Sequence, residues 1–327
     1  MDLFVLDLVS SSSWILLLAA LIDFLIGDPW GWLHPVQVMG WLINKVSWLA
    51  IKFCSPGWQR RLAGLLLGVL LIAGSGFLAW AVGFYLGLIN SLLGEGIQIV
   101  LLASCFAGRS LRVAVLDVLK PLAAGNILQA RSHLSRYVGR DTENLSQSEI
   151  LRALLETVAE NSVDGVTAPL FYGIVGSYLA VGAAPLALAY KAASTLDSMI
   201  GYLREPYRDL GWFSAQLEDL LTWIPCRLTV LTLGLLTAKP RRVWQICCRD
   251  GFQDPSPNSG WSEAAYAAIL GVQLGGENTY QGVVKSKPLL GDAVDSISPA
   301  KIQQALNLTR YCCLFWLAIA ILGDICL

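Results

Sequence analysis

Glu156, Glu160 and Asp164 follow one another at four-residue intervals, with Arg152 one interval upstream. On a helix that spacing stacks the side chains along one face. Acids held so close repel one another unless a cation sits among them. Spacing alone leaves two readings. One is a solvated face on which Arg152 pairs with Glu156. The other is a Mg²⁺ site, because magnesium takes one or two carboxylates and leaves its other positions to water and substrate phosphates. Asn161-Ser-Val-Asp-Gly then sets more polar groups just ahead of an apolar run.

A second constellation, Asp23-Phe-Leu-Ile-Gly-Asp28-Pro-Trp-Gly-Trp-Leu-His34, brackets a Gly/Pro-rich break with two acids and a histidine. Ionisable groups beside apolar runs usually face protein or a cavity. The string is therefore either a turn with an interfacial histidine or one wall of a site at the membrane surface. Lys191 directly follows another apolar run, and on a helix Ser194, Thr195 and Ser198 share its face, with Asp197 about a third of a turn away. Snorkelling is the plainer account of Lys191. Glu218, Asp219 and Arg227 surround Trp223-Ile-Pro225. Farther on, Arg249-Asp250-Gly-Phe-Gln-Asp254-Pro-Ser256-Pro-Asn258-Ser259-Gly260-Trp-Ser262-Glu263 leads into the helical pattern AAYAAILG. Amides and hydroxyls at a helix start seat phosphate, although Gly and Asn equally suit a tight turn. The absence of Walker A, GxGxxG and GxSxG strings argues against the common nucleotide-binding and hydrolase folds.

The elements that must position these groups are membrane helices. Of the 327 residues 55% are hydrophobic and 14% charged, against about 25% charged in a soluble domain. Such a chain cannot coat a water-facing surface of its size. The clearest apolar runs are 62–86 and 88–107, which can form a hairpin turning near 87–90, then 168–190 and 312–327; 14–26 and 228–238 are undersized for a span of about 20 residues. Basic residues cluster at Lys45, Lys52, Arg60 and Arg61, at Arg109, Arg112 and Lys120, and at Lys239, Arg241, Arg242 and Arg249. The positive-inside rule puts these loops on the cytoplasmic side. Residues 109–165 and 239–310 read as water-facing, the first with a capping box at Ser146-Gln-Ser-Glu149 that predicts a helix over 147–163. A net charge of −1 offers no basic excess for nucleic acid. Eight cysteines without a CxxC pair, and only two histidines, give neither a disulfide framework nor a multi-His metal centre. The expected fold is all-α, a multi-pass integral membrane protein over 1–327 acting as one unit, with helical cytoplasmic loops forming the active site.

Taken together, the strings resemble one family, the adenosylcobinamide-phosphate synthases of cobalamin biosynthesis, or CobD/CbiB family. The matching pieces are DFLIGDPWGWLHPVQVMG at 23–40, GRDTENLS at 139–146, ETVAENSVDGVTAPLFY at 156–172, AYKAASTLDSMIGY at 189–202, EDLLTWIPCRLT at 218–229 and RDGFQDPSPNSGWSEAAYAAILGVQLGGENTY at 249–280. They run in the family's order. Ser194, Thr222 and Cys226 depart from it, where Asn, Asn and Ala are expected. The resemblance implies a membrane enzyme that joins an amino-alcohol phosphate to a propionate side chain of adenosylcobyric acid through an amide bond, consuming ATP with Mg²⁺.

A carboxylate is too poor an electrophile to form an amide unaided, and an acyl phosphate made from ATP supplies the activation. That chemistry needs Mg²⁺ and cationic side chains against the transferred phosphoryl group. Glu156, Glu160 and Asp164 are the metal candidates, and Arg140, Lys191 and Arg227 the cations. His34 or Asp28 is the candidate base for the amine, with Asp141, Asp197 and Asp219 completing the catalytic set. Asn161, Ser198, Arg249, Asn258, Ser259 and Gly260 are the candidates for binding substrate or phosphate. Trp30, Trp32, Trp212 and Trp223 could line a groove for the amphipathic corrinoid, or simply sit at the bilayer interface. Partners are then the two substrates and membrane lipid, at the cytoplasmic membrane where ATP is available. A transporter for corrinoid or metal ion is the rival, and a non-catalytic subunit docking other pathway enzymes a third reading. The polar strings beside rather than within the apolar runs, and the absence of an inverted repeat, count against the transporter.

Overall fold

The structure, a computed structural model, describes residues 12–27, 34–179 and 181–326. In chain order the helices are α1 (Ser12–Leu25), α2 (Pro35–Phe53), α3 (Trp58–Ile89), α4 (Ser91–Ala103), α5 (Gly108–Ala123), α6 (Ile127–Leu134) and α7 (Gln147–Ser162), a π-turn Val163–Thr167, then α8 (Ala168–Tyr178), α9 (Ala183–Ile200), α10 (Tyr207–Leu210), α11 (Trp212–Leu236), α12 (Pro240–Asp250) and α13 (Ser259–Leu270). A hairpin of β1 (Leu274–Tyr280) and β2 (Val283–Leu290) follows, and α14 (Pro299–Cys326) ends the chain. The all-α membrane fold is observed, with this one small sheet added. Among the described residues, four stretches are long and apolar enough to cross a membrane: Trp58–Ile89, Ser91–Ala123, Trp212–Leu236 and Pro299–Asp324.

By packing, the chain forms two compact units. Unit 1 comprises Met1–Ala107, Ala168–Thr222 and Trp316–Leu327; unit 2 comprises Gly108–Thr167 and Trp223–Phe315. Unit 2 thus takes in both stretches that read as water-facing.

In unit 1, α9 packs on α3 and α8, and small residues let the backbones approach. A methyl at Gly64 or Gly68 of α3 would collide with the Leu210 carbonyl or the Phe213 ring, the small-residue contact that membrane helices favour. Residues 168–190, expected as one span, are instead two helices, because Gly182 adopts φ +100° and breaks the winding between α8 and α9. The opposite holds for α11. Its charges and Pro225 hide a continuous 25-residue helix. Proline cannot donate to the carbonyl four residues back, and the Tyr172 hydroxyl donates to that Leu221 carbonyl at 2.8 Å in its place. Along α2, Met39, Ile43, Ser47 and Ala50 are buried, while Trp41 and Trp48 are exposed with Lys45 and Lys52 at 4.9 and 4.7 Å from their ring centroids. Paired tryptophan and snorkelling lysine suit the headgroup level of a bilayer.

In unit 2 the predicted capping box forms, with the Ser146 amide donating to Glu149 Oε2 at 2.6 Å. Helix α7 is buried along Ile150, Leu151, Leu154, Leu155 and Val158 and packs against α13, α5 and α6. The hairpin was not anticipated. Its signal is the Gln281-Gly282 pair, whose φ values of +53° and +78° are those of a type I′ turn, the form that matches the twist of two antiparallel strands.

Tyr172→Phe keeps the ring but leaves the Leu221 carbonyl without a donor. It should cost roughly 1–3 kcal/mol, read as a lower Tm in detergent. In a Pro225→Ala background, where the restored N–H can serve that carbonyl, the cost should shrink by at least half.

Candidate functional site

The centre of unit 2 is a buried carboxylate. Glu156 on α7 accepts from Arg140 Nη2 at 2.5 Å and from the Gly275 amide at 3.0 Å, and Arg152 Nη1 lies 3.5 Å from its other side. Arg140 and Arg152 both donate to Asn278 Oδ1, at 2.7 and 3.1 Å, and Arg152 also reaches the carbonyls of Gly275 and Glu277. Charged groups are buried only when paired and hydrogen-bonded, and here the loop at 140, α7 and β1 are tied through one anion, with the Asn278 Nδ2 left without a partner. Glu156 is thereby used up, and the pairing with Arg152 expected of a plain helix face is present. Gly275 is required here, because it sits at φ +84° with the Pro288 carbonyl where a side chain would go.

Beside this network lies a second group of acids. Lys287 Nζ on β2 is 3.4 Å from Glu263 Oε1 on α13 and 4.0 Å from Asp254 Oδ2. Glu263 is wholly buried and Asp254 nearly so. Neither Glu263 Oε2 nor Asp254 Oδ2 has a hydrogen-bond partner. Glu160, one turn beyond Glu156, joins them electrostatically and is open to solvent. Burial, with the neighbouring acids adding to it against Lys287, pushes the Glu263 carboxyl up to about 8. The surrounding acids hold the Lys287 ammonium above its ordinary range despite its burial.

Asp164 does not continue the stack. It lies on the π-turn, whose wider winding takes it out of the four-residue register of α7. Among the described residues no three His, Cys, Asp or Glu side chains come together in an arrangement that could hold a metal ion, so Glu156, Glu160 and Asp164 form no three-carboxylate cage. Asn161 donates to the Thr157 carbonyl at 2.9 Å. Asp141 pins the hairpin tip, accepting from the Gln281 and Gly282 amides at 3.0 and 2.8 Å while its own amide donates to Thr279. Arg249 grips Asp250 with two donors at 2.7 and 2.8 Å and reaches Asp292 at 2.9 Å. Asp250 in turn accepts from the Gly291 amide at 2.8 Å.

The start of α13 already carries an acid. Asp254 Oδ1 accepts from the Ser256 amide at 3.0 Å and the Ser259 hydroxyl at 3.2 Å, and Gly260 packs so closely on Gly251 and Asp254 that a side chain has no room. Asn258 turns away from the helix amides: its Oδ1 takes Arg227 Nη1 at 2.7 Å, and its carbonyl takes the Cys226 thiol at 3.3 Å. The Arg227 guanidinium stands 4.9 Å from the Trp223 ring and 4.5 Å from that of Trp261. Cation–π contact on two aromatic faces and one charge-assisted hydrogen bond fix it rigidly.

Unit 1 holds the rest. Lys191 on α9 is near enough to Cys105 to act on it electrostatically, and its carbonyl accepts from Thr195. Ser198 donates to the Thr195 carbonyl at 3.0 Å, and the Asp197 carbonyl accepts from Gly201 at the end of α9. Asp219 is half-buried on α11 beside Glu218, which accepts from Thr222 at 2.5 Å; the Tyr190 hydroxyl lies 2.9 Å from that of Thr222. His34 caps α2, its Nδ1 accepting from Val36 at 3.3 Å. Trp212 lies under Arg61 at 5.7 Å. Asp28, Trp30 and Trp32 lie outside the described residues.

Nothing in the sequence singles out Lys287, and Asp254 and Glu263 stand there only as parts of a string. The Val283-Val-Lys-Ser-Lys287 alternation is a strand pattern, but nothing local links it to acids on another helix.

Comparison with known proteins agrees with the motif strings. The family description "CobD/Cbib protein" matches residues 16–309. A protein of Synechocystis sp. named "Cobalamin biosynthesis protein CobD" is 58% identical over 293 residues, 89% of this chain and 86% of that one. "Cobalamin biosynthesis protein CbiB" of Salmonella arizonae is 41% identical over 295 residues, 89% of this chain and 91% of its own. "Cobalamin biosynthesis protein CobD" of Citrobacter koseri matches at 41% with the same coverage. No solved structure matches significantly.

Glu156→Gln should unfold unit 2 first, since it leaves two buried arginines short of an anion at roughly 3–5 kcal/mol; a protein with wild-type Tm would refute the clamp. Glu263 contributes a pH dependence of known sign. Its folded pKa is raised to about 8, so its contribution to stability is complete below its ordinary carboxyl pKa and is lost as pH rises through 8. Between pH 6 and 9 the Tm of the wild type should therefore fall relative to that of Glu263→Gln.

Proposed function

This chain belongs to the CobD/CbiB protein family, and on that premise we propose that it serves cobalamin biosynthesis as a membrane-bound, ATP-dependent amide ligase. The reaction joins an amino-alcohol phosphate to the propionate side chain of adenosylcobyric acid. In the first step the carboxylate oxygen takes the terminal phosphoryl group of MgATP, giving an acyl phosphate and ADP. In the second the amine, having lost one proton, attacks the acyl carbon. The C–N bond forms, the C–O bond to phosphorus breaks with its electron pair leaving on phosphate, and nitrogen sheds its second proton. Carboxylate, ammonium and ATP thus become amide, ADP, phosphate and one proton.

Magnesium enters this scheme as part of the nucleotide substrate, since the acids of α7 form no resident cage. Arg227 is the cation offered to a phosphoryl group: it is rigid, half-exposed, and leaves donors beyond the one used by Asn258. Such preorganised charge is what stabilises a transferring phosphoryl group. Arg140, spent on Glu156 and Asn278, is assigned to positioning. The basic clusters on the polar connections support a site facing the cytoplasm.

The observation that favours an enzyme over a conduit is where most of the charges gather, although Glu218, Asp219 and Arg227 lie on the apolar stretch Trp212–Leu236. Arg140, Glu156, Glu160, Asp254, Glu263 and Lys287 all belong to unit 2, on elements outside the four apolar stretches. A conduit would collect them within its spans.

Purified protein in detergent, given adenosylcobyric acid, ethanolamine or aminopropanol phosphate and MgATP, should yield the amide with one ADP per product. Uptake into sealed vesicles with no new covalent species would overturn the proposal. Arg227→Lys keeps the charge but loses the planar fork and stacking, and should lower kcat/KM for MgATP at least about tenfold while leaving the protein folded.

A further inference from the structure

The acidic cluster around Lys287 contains more negative charge than its one ion-paired cation balances. Glu156 is neutralised by Arg140 and Arg152, and Arg140 also acts on Glu160, but Asp254 and Glu263 have Lys287 as their one ion-pair partner. Two carboxylate oxygens, Glu263 Oε2 and Asp254 Oδ2, are buried with no donor on them. A buried acceptor left unmade is costly and is retained in a folded protein only for a reason. Glu160, open to solvent and making no hydrogen bond, gives this group a side from which a ligand can enter. The raised carboxyl of Glu263 agrees: lacking a second cation, the cluster retains a proton instead.

The missing partner is a cation, since three acids repel phosphate. The spacing favours an ammonium over a metal. A divalent ion needs oxygens at about 2.0–2.6 Å on a common centre, and the described acids do not so converge. An ammonium uses directional hydrogen bonds to oxygens set farther apart, and the lysine ammonium already lies 3.4 and 4.0 Å from two of them.

We propose that the cluster formed by Glu160, Asp254 and Glu263 beside Lys287 is the seat of a primary ammonium ligand, held by the two buried oxygens that lack donors. Resting on the ligase reading, that ligand is the amino end of the amino-alcohol phosphate. Binding of R–NH3⁺ displaces to solvent the proton that Glu263 carries, and the ionised Glu263 can then take one proton from R–NH3⁺, becoming a neutral acid and leaving R–NH2 with its lone pair free for attack. The groups facing this exchange are Glu156 and Glu160 of α7, Asp254 before α13, and Lys287 of β2.

The test uses the full-length chain in detergent, its Glu263→Gln variant and Glu160→Gln, whose side chain makes no hydrogen bond that folding needs. Free ethanolamine, protonated at pH 7, should raise the Tm of the wild type, and ethylene glycol, its neutral analogue, should not. The Tm rise should vanish in Glu263→Gln and be at least halved in Glu160→Gln. In the amide assay the KM for ethanolamine phosphate should rise at least about tenfold in Glu263→Gln, with the KM for MgATP within about twofold of wild type. An equal Tm response in all three proteins, or a defect rescued by excess Mg²⁺, would overturn the ammonium site. Should Glu263→Gln not fold, the Glu160→Gln responses decide alone. A wild type that makes no amide would sink the ligase reading, and the Tm response to ethanolamine would still decide the cluster.

Discussion

A carboxylate taken out of water must be met by positive charge and by donors, and Glu156 imposes that requirement on unit 2. Its oxygens are served by Arg140 from one loop, by Arg152 from its own helix and by the Gly275 amide from β1. Because a single anion draws on three places in the chain, none can shift without leaving a buried charge unpaired. The hairpin is fixed by the same set through Asn278, and its tip by Asp141. Lys287 is carried on that hairpin, so where its ammonium stands follows from how Glu156 is satisfied.

Two neighbouring acidic groups therefore behave differently for one reason, the supply of donors. Around Glu156 both oxygens have partners and two arginines stand against one carboxylate, which gives rigidity and no reactivity. Around Lys287 the acids outnumber the cation, two oxygens lack donors and burial pushes a carboxyl up to about 8. Perturbed groups of this kind are characteristic of functional sites. Arg227 gives a third pattern, a cation held by aromatic faces and an amide rather than by acids, so its charge is not cancelled before a ligand arrives.

The long apolar helices and the helices packed on them answer to the bilayer instead. Where no water can serve a backbone carbonyl, a proline in a spanning helix must be compensated from a neighbour, and Tyr172 does this for Leu221. Glycines set the approach of α3 to its partners, and the outer face of α2 alternates lysine with tryptophan in the way a headgroup layer accepts.

Composition and run length by themselves determined a helical membrane protein, because apolar length and low charge are properties of a chain before it folds. The capping box at Ser146 and the membership of a family were likewise legible, since both reside in short contiguous strings. Long helix α11 was not, because its hydropathy is interrupted by Glu218, Asp219 and Pro225, whose partners are supplied from elsewhere; nor was the break at Gly182, where one backbone angle outweighs an apolar pattern. Candidate residues were recognisable as chemistry but not as geometry. Only the tertiary structure decided that Glu156 is spent on Arg140, that Asp141 holds a turn, and that Asp254 and Glu263 meet Lys287. Ionic partnerships form between residues far apart along the chain, and no periodicity or local spacing records which acid a given cation will reach.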